Sequence, residues 1–542
     1  MAALSVATTT VGGDGGGEAP ASPHHVFSPR QRGGVVWLVS WAAMFSGLSA
    51  NIYFPALEEV AKDMHVTYST VLSSITIFLV LQGVSPSFWG PLSDVYGRRV
   101  IFVGTFACYV LANLGLLLSR SFPVLLFFRA LQATGAATTI AISCGVITDI
   151  STSTTRGGYM GKNQMIRTTA QALGPAIGGA LTLKTGYHNI FALLLAMGLG
   201  TLLLILIFLP ETHRCIAGNG SVPLHGPHKP WVYSLRGQPH ADASAERTPR
   251  PRLRPAAFLA PLRMLGQPTF AVSLFVGAYV FAVQSVALAV AARMLRLRYG
   301  YNVLEIGLCF LPNGLGCMIA SLLHGQLLDT AFRAHEATYR AHHKLPLTIP
   351  ITPTSAPSFP FERARLSIAP LILLSFALAT GLYGFAFRGP LYWVLVCSFV
   401  MGAAQAMMLT VTGTLLVDVA PEEAASATAA NNLARCALGA VATAVAERFV
   451  ERLGIAGAFG TLAGGVVAVT PLLGVVWRWG PGWRVQRARR RERRREVEEG
   501  KRGVRSRADS GVSRVDVRDG EGEVVVEPKT EGEVVVETRR EV

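Results

Sequence analysis

The chain has 542 residues, of which 51% are hydrophobic and only 15% charged, and its formal net charge is +16. Soluble domains are about 25% charged, and few of them bury an uncharged run as long as residues 36–57. The composition therefore excludes a soluble enzyme and indicates a polytopic membrane protein. Because the basic residues cluster in segments that flank apolar spans, at 211–267 and 479–507, membrane topology explains them better than nucleic-acid binding does.

Residues 1–33 are rich in glycine, alanine, serine and threonine and lack the regions of a signal peptide, so we expect a disordered cytoplasmic N-terminus. Six apolar spans then predict an N-terminal bundle over 34–210, at 36–57, 71–92, 100–118, 124–147, 164–183 and 190–210. A proline-rich, charged cytoplasmic linker is predicted over 211–267. Six more spans predict a C-terminal bundle over 268–478, at 268–290, 304–324, 367–386, 391–416, 426–447 and 456–478.

Lysine and arginine are more frequent in the loops that share a side with the termini, so both termini are predicted to be cytoplasmic. One predicted outer loop, 291–303, carries three arginines and goes against this rule. The tail, residues 479–542, is basic and then acidic and is predicted to be disordered. Its basic run at 487–496 is either a solvated segment or a contact for anionic lipids.

Two segments repeat one spacing of glycine, leucine, aspartate and arginine. They are GPLSDVYGRR after the second span (Gly90, Leu92, Asp94 and Arg98) and GQLLDTAFR after the eighth (Gly325, Leu327, Asp329 and Arg333). An internal repeat in a twelve-span chain predicts an all-α membrane fold of two pseudo-symmetric six-helix bundles. Such bundles rock around a site near the middle of the membrane.

Seven segments, in this order, resemble the major facilitator superfamily and, within it, fungal twelve-span drug:proton antiporters of the quinidine-resistance type. They are NIYFPAL (51–57), LQGVSPSFWGPLSDVYGRR (81–99), RALQATGAA (129–137), ALGPAIGGAL (172–181), FLPETHRCIAGNG (208–220), FPFERARL (359–366) and LLVDVAPEEAASATAANNLARCALGA (415–440). Organic-acid exporters resemble the same branch, so the resemblance does not fix the substrate. It implies a proton-coupled antiporter at the plasma membrane.

The resemblance also implies roles for two motifs. A gating latch is expected at one cytoplasmic face, where Gly90 would allow close helix approach and Asp94 would pair with an arginine. Its residues are Gly90, Asp94, Gly97, Arg98 and Arg99, with Asp329 and Arg333 in the second repeat. An antiporter motif in the fifth span consists of Gly174, Pro175, Gly178 and Gly179. Proline bends that helix and the glycines allow tight packing, which ordinary packing would also explain.

Charged groups inside the spans suggest coupling and binding residues. An arginine in the bilayer core costs about 2.5–3.5 kcal/mol, so Arg129 should face the bundle interior, unless its side chain instead extends to the outer interface. The family associates this arginine with proton transfer, and we take Arg129 and Asp149 as the coupling candidates, with Asp94 as a second candidate for protonation. Candidate substrate-binding residues are Asn51, Gln82, Arg167, Asn431 and Arg435, where the arginines either hold an anion or bind lipid phosphate.

Several absences narrow the function. No aspartate or glutamate lies in the middle of a predicted span, which favours anionic or neutral substrates over organic cations. No P-loop, HExxH or GxSxG motif is present, so we expect neither an enzyme nor an ATP-driven pump, and no cofactor or metal beyond a proton gradient. We therefore predict a monomeric, proton-coupled exporter of a small organic solute or drug, in contact with membrane lipids. The alternatives are a di- or tricarboxylate exporter and a membrane sensor that signals through its tail.

Overall fold

The computed structural model describes residues 25–151, 153–238, 253, 255–344, 359–420 and 424–509, and three stretches of the tail at 517–519, 522–528 and 534–539. Most of the N-terminus that the sequence predicts to be disordered lies outside the described residues.

The first half of the chain consists of six long helices. Helix α1, Pro29–Asn51, continues through a 3-10 turn at Phe54–Ala56 into α2, Leu57–Asp63. The other long helices are α3 (Tyr68–Tyr96), α4 (Arg98–Leu117), α5 (Phe122–Ile150), α6 (Ser153–Thr185) and α7 (His188–Phe208). The linker contains α8 (Arg214–Ala217), α9 (Trp231–Arg236), α10 (Ala260–Leu265) and 3-10 turns at Gly226–His228 and Pro255–Ala257.

The second half repeats this arrangement. Its helices are α11 (Pro268–Tyr299), α12 (Val303–Cys309), α13 (Leu311–His343), α14 (Phe361–Leu366), α15 (Ala369–Ala386), α16 (Leu391–Val419), α17 (Ala424–Val469) and α18 (Pro471–Asp509). Three antiparallel strands follow, β1 (Val517–Asp519), β2 (Gly522–Pro528) and β3 (Val534–Arg539). The described residues of the tail therefore differ from the predicted disorder, and arginine and glutamate, which are good helix formers, extend α18 beyond residue 479.

Ten helical segments of the described chain are long and apolar enough to cross a membrane. The last of them, Ser426–Arg487, has 62 residues and at 1.5 Å per residue would measure about 93 Å. The chain leaves the helical conformation within it at Gly454, so this segment makes two crossings. Helix α6, with 33 residues, is also long enough to cross a membrane, but it is more polar than these ten segments. With these two additions the described chain makes twelve crossings, and the predicted all-α membrane fold is confirmed.

Each half of the chain packs as its own bundle, and the two bundles meet along two seams. Helix α3 of the first bundle packs against α17 of the second, and α6 packs against α12 and α13. Because the number of crossings is even, both termini and the linker lie on one side, here named the terminal face. The opposite side, which carries the connections from α2 to α3 and from α11 to α12, is named the loop face.

The outer surface of the bundles is apolar. On α15 a line of side chains at helical spacing is exposed, and it consists of Leu371, Leu374, Leu378, Leu382 and Phe385. A stripe of this kind on a water-soluble protein would be a binding surface, whereas here it matches the hydrocarbon of a bilayer.

Glycines of the predicted antiporter motif stand at close helix contacts. A Cβ on Gly174 would lie 3.3 Å from the Ile52 nitrogen after α1, and one on Gly178 would lie 2.9 Å from the Ile52 carbonyl carbon. A Cβ on Gly179 would lie 3.1 Å from Leu304 Cα of α12. Inside the same helix, Pro175 places its carbonyl oxygen 2.5 Å from a Cβ built on Gly307. The motif therefore packs α6 both within its bundle and across the seam.

Gly90 behaves differently from the prediction. A Cβ added there meets no heavy atom within 4 Å. The close helix approach expected at this position is therefore absent in this conformation, because no neighbouring element reaches that side of α3.

The close contact of α6 with the end of α1 yields a test of packing. We expect Gly178→Ala to destabilise the protein by about 1–3 kcal/mol, since the Ile52 backbone cannot yield as a flexible side chain would. The measurement is the thermal unfolding midpoint in detergent. Gly104→Ala is the matched control, because Gly104 lies in helix α4 with nothing within 4 Å of an added Cβ. Equal midpoints for the two variants would contradict this packing.

Candidate functional site

A narrow cavity lies between the two bundles. Helices α1, α3, α5 and α6 line it from one side, and α11, α13, α16 and α17 from the other. Its volume is about 80 Å³, well below the roughly 300–1,000 Å³ that pockets for small organic molecules have. A larger solute can therefore bind only when the bundles separate. Its polar wall consists of Asn51, Gln82, Arg129, Gln171, Gln284, Ser285, Asn313, Cys317, Gln405 and Arg435.

Arg129 is the most deeply buried charge in this wall, with 1% of its surface exposed. Its guanidinium lies between two rings, 4.6 Å from the centroid of Tyr53 and 4.5 Å from that of Phe78. Nη1 donates hydrogen bonds to the Ser49 carbonyl at 3.2 Å and to Gln132 Oε1 at 2.6 Å. Arg129 thus faces the interior, as the cost of inserting it into lipid predicted.

The charge of Arg129 is not balanced by a carboxylate in the part of the chain that the structure describes. Among the described residues, neither an aspartate nor a glutamate lines the cavity, and Arg129 takes part in no ion pair. Its Nε and Nη2 groups have no hydrogen-bond acceptor in the described part of the chain. The two rings supply part of the missing charge compensation through their negative faces. An unpaired buried cation is costly, so the open N–H groups favour an anion in the cavity.

A second arginine lines the cavity from the other bundle. Arg435 Nη2 donates to Asn432 Oδ1 at 2.6 Å, and the guanidinium lies 4.7 Å from the Phe281 ring centroid. Two further residues predicted to bind substrate, Arg167 and Asn431, are half-buried but do not line the cavity in this conformation.

Amide side chains complete the polar wall. The Gln82 side chain donates to Ser46 Oγ at 2.9 Å, and the Gln82 backbone carbonyl accepts from the Asn432 side chain across the seam at 2.6 Å. Asn51 donates to the Gly47 carbonyl at 2.8 Å. Sequence reasoning missed Gln171 and Asn313 as wall residues. A polar amide inside an apolar helix was the available indication for both, but it does not show which side of the helix faces the cavity.

The gating residues predicted in the first repeat lie at the terminal face, within the first bundle. Arg98 pairs with Asp94 at 2.7 Å and with Asp149 at 3.2 Å. The Arg99 guanidinium donates to the carbonyls of Ile205 and Leu206 and thereby caps the end of α7. All of these contacts hold one bundle together, so a latch between bundles at this face stays a prediction.

The turn between α3 and α4 explains Gly97 and reveals a further residue. Gly97 has a φ of +100°, which favours glycine. Next to it, the buried carboxylate of Glu211 accepts hydrogen bonds from the backbone N–H groups of Arg98 at 2.9 Å and Arg99 at 3.2 Å, at the start of α4. Oε2 of Glu211 also lies 3.1 Å from His228 Nδ1 in the linker. Glu211 lies in the family-like segment 208–220, but the sequence alone indicated no role for it.

The protonation of Glu211 follows from these contacts. Burial raises the pKa of Glu211, but hydrogen bonds from His228 and from the backbone outweigh it and leave the pKa below its usual range. The group is therefore a carboxylate at neutral pH and stabilises the positive end of α4.

The second bundle has a related pair at the terminal face. Arg365 contacts Asp418 at 2.6 Å and lies 4.3 Å from the Phe332 ring centroid. Asp418 is the last residue but one of α16, as Asp149 is of α5. Of the predicted repeat residues, Arg333 is exposed on α13, and the side chain of Asp329 lies outside the described residues.

Ion pairs at the loop face were not predicted. Arg296, near the end of α11, contacts Glu59 at 2.8 Å and Glu58 at 3.4 Å at the start of α2. Arg293 pairs with Glu447. The available indication was the outer loop with three arginines that violates the topology rule. Two of those arginines are neutralised by glutamates from distant parts of the chain.

Two packed six-helix bundles around a polar cavity define a membrane transporter of the alternating-access class. The chain belongs to the major facilitator superfamily, whose family model matches residues 39–351 and 361–519. It is 40% identical over 469 residues to Citrate exporter 1 of Aspergillus niger, covering 86% of this chain and 90% of that one. It is 30% identical over 464 residues to Quinidine resistance protein 1 of Saccharomyces cerevisiae, covering 81% of each.

A solved structure supports the fold alone. The human organic anion transporter MFSD10 matches with a TM-score of 0.51 at 17% identity, covering 82% of this chain and 100% of that one. The predicted family, the transporter function for a small organic solute or drug, and the exclusion of an enzyme are thus confirmed by the family and the relatives.

The buried carboxylate at the start of α4 yields a test of stability. We expect Glu211→Gln to lower the unfolding free energy by about 1.5–3 kcal/mol, because charge-assisted hydrogen bonds to two backbone N–H groups are weakened. Since the folded pKa lies below the usual value of about 4.3, the difference from the wild type should stay constant between pH 7 and pH 5. It should shrink only as pH falls below that usual value.

The measurement is the thermal midpoint across this pH series, and the control is Glu451→Gln, which alters an exposed carboxylate at the loop face. A difference that disappears already between pH 7 and pH 5 would show that Glu211 is not held as a carboxylate.

Proposed function

We propose that this transporter exports small organic anions that carry two or more carboxylates, with citrate as the first compound to test. The observation that carries the proposal is Arg129, a buried cation in the wall of the central cavity that has no carboxylate partner among the described residues and whose Nε and Nη2 groups donate no hydrogen bond there. Arg435 provides a second guanidinium from the opposite bundle. Guanidinium groups bind carboxylates in a bidentate geometry, so the pair suits a solute with more than one carboxylate.

The same wall is poorly suited to a cationic drug. A cation is held in a membrane cavity by a carboxylate or by the faces of aromatic rings. No carboxylate lines the described cavity, and the rings of Tyr53, Phe78 and Phe281 already contact Arg129 or Arg435. The relatives point the same way, because the citrate exporter shares 40% of aligned residues and the quinidine resistance protein 30%.

We further propose that the terminal face is cytoplasmic, that the transporter acts at the plasma membrane as a monomer, and that export is coupled to protons. The conformation described here is then closed toward the outside by the contacts of α2 with α11. Asp149 is the proposed protonation site. It pairs with Arg98 at the terminal face of the first bundle, so a proton on Asp149 would weaken this ion pair. Gating by Asp94, Arg98, Asp329 and Arg333 belongs to the same proposal.

Substitution of the cavity arginines tests the anion site. We expect Arg129→Gln and Arg435→Gln each to reduce citrate flux in proteoliposomes at least tenfold, because each removes a charge-assisted contact worth about 1.5–3 kcal/mol. Arg129→Lys should retain part of the flux, since it keeps the charge and loses the planar donor pair.

The matched control is Arg120→Gln, which removes an exposed arginine between α4 and α5. It should transport citrate at the wild-type rate. The anion site would be refuted if both cavity variants, reconstituted at equal amounts, carried citrate as fast as this control.

The orientation has its own test. A peptide tag after Val542 should bind antibody only after the plasma membrane is permeabilised, whereas a tag in the connection from α4 to α5 should bind on intact cells. The opposite pattern would show that the terminal face lies outside the cell and would contradict the proposed orientation.

A further inference from the structure

The loop face is the place where charge joins the two bundles. Among the ion pairs of the described residues, those of Arg296 with Glu58 and Glu59 are the ones that connect the first bundle to the second. The Arg98, Arg365 and Arg484 pairs each stay within one half of the chain. A contact of this kind must break whenever the loop face opens.

The position of Arg296 favours its charge. It lies in the last turn of α11, and a basic group is stabilised at a helix C-terminus even without a partner. Glu58 and Glu59 lie in α2, which continues α1 through the 3-10 turn. Each of the three side chains is about one-third exposed, which keeps the pairs breakable.

Uncharged contacts continue the closure toward the cavity. Tyr68 of α3 donates a hydrogen bond to the Ala289 carbonyl of α11 at 2.8 Å. Phe54, which lines the cavity, pairs with Phe310 of the other half at a centroid distance of 6.3 Å. Three consecutive inter-bundle contacts thus separate the central cavity from the loop face.

We propose that Arg296, Glu58 and Glu59 form a latch that holds the loop face closed and sets the balance between the two access states. The proposal rests on the transporter class and not on the identity of the solute. Losing the latch should raise the population that is open at the loop face.

Cys317 provides the readout, because it lies in the cavity wall and is 4% exposed. Sealed membranes are treated with a membrane-impermeant maleimide from the loop face, and modification of Cys317 is followed over time by peptide mass spectrometry. An Arg120→Cys reporter, in the exposed connection from α4 to α5, shows which preparation presents the loop face and that the reagent reaches it.

We expect Arg296→Gln, and Glu58→Gln combined with Glu59→Gln, to speed Cys317 modification from the loop face by about three- to tenfold. The matched control is Arg298→Gln, since Arg298 donates to the Phe387 carbonyl within its own half. It should leave the rate unchanged. A charge exchange, Arg296→Glu with Glu58→Arg and Glu59→Arg, should restore slow modification.

Two results would overturn the latch. One is a wild-type rate in Arg296→Gln while the reporter is modified normally. The other is fast modification in the charge-exchanged protein, which would assign the effect to local damage rather than to pairing. Neither result depends on citrate flux, so failure of the latch and failure of the proposed substrate are distinguishable.

Discussion

The centre of this molecule contains a buried guanidinium that has no counter-ion among the described residues. Arg129 is tolerated inside the membrane because its guanidinium lies against the rings of Tyr53 and Phe78 and because Gln132 and Ser49 accept from one of its amino groups. Gln132 in turn donates to Asn113 Oδ1 at 2.7 Å, so the residues that hold Arg129 are themselves held. The N–H groups that lack an acceptor make the cavity electropositive, and this charge is the basis of the proposed anion site.

The rest of the structure allows the site to be exposed to either side of the membrane while the helices within each bundle keep their arrangement. At the terminal face, the described ion pairs and the Glu211 hydrogen bonds stay within single bundles, so each bundle can move as a rigid body. Glycines in α6 bring helices into contact along one seam, and small residues allow such surfaces to slide or separate. At the loop face the bundles are joined by Arg296. The molecule is therefore described in a state that is closed on that face, with a cavity too narrow for a bound solute.

Hydropathy predicted the twelve crossings and the two bundles, because long apolar runs dominate the chain. It placed the fifth span at 164–183, whereas α6 begins at Ser153, since its first turns are too polar to register. The burial of Arg129 was predictable from the cost of exposing it to lipid. Its ring partners were not, because Tyr53 and Phe78 come from other parts of the chain, and the same holds for Arg296 and Glu59, which are 237 residues apart. A local pattern contains no information about such pairs.

The most direct test of an anion site compares two solutes in one preparation. Purified protein in liposomes with an imposed pH gradient is given labelled citrate or a labelled hydrophobic cation, with and without a protonophore. If the unpaired guanidinium of Arg129 determines the substrate, citrate moves, the protonophore stops it, and the cation does not move. Protonophore-sensitive transport of the cation alone would contradict the anion site and would assign the chain to drug export.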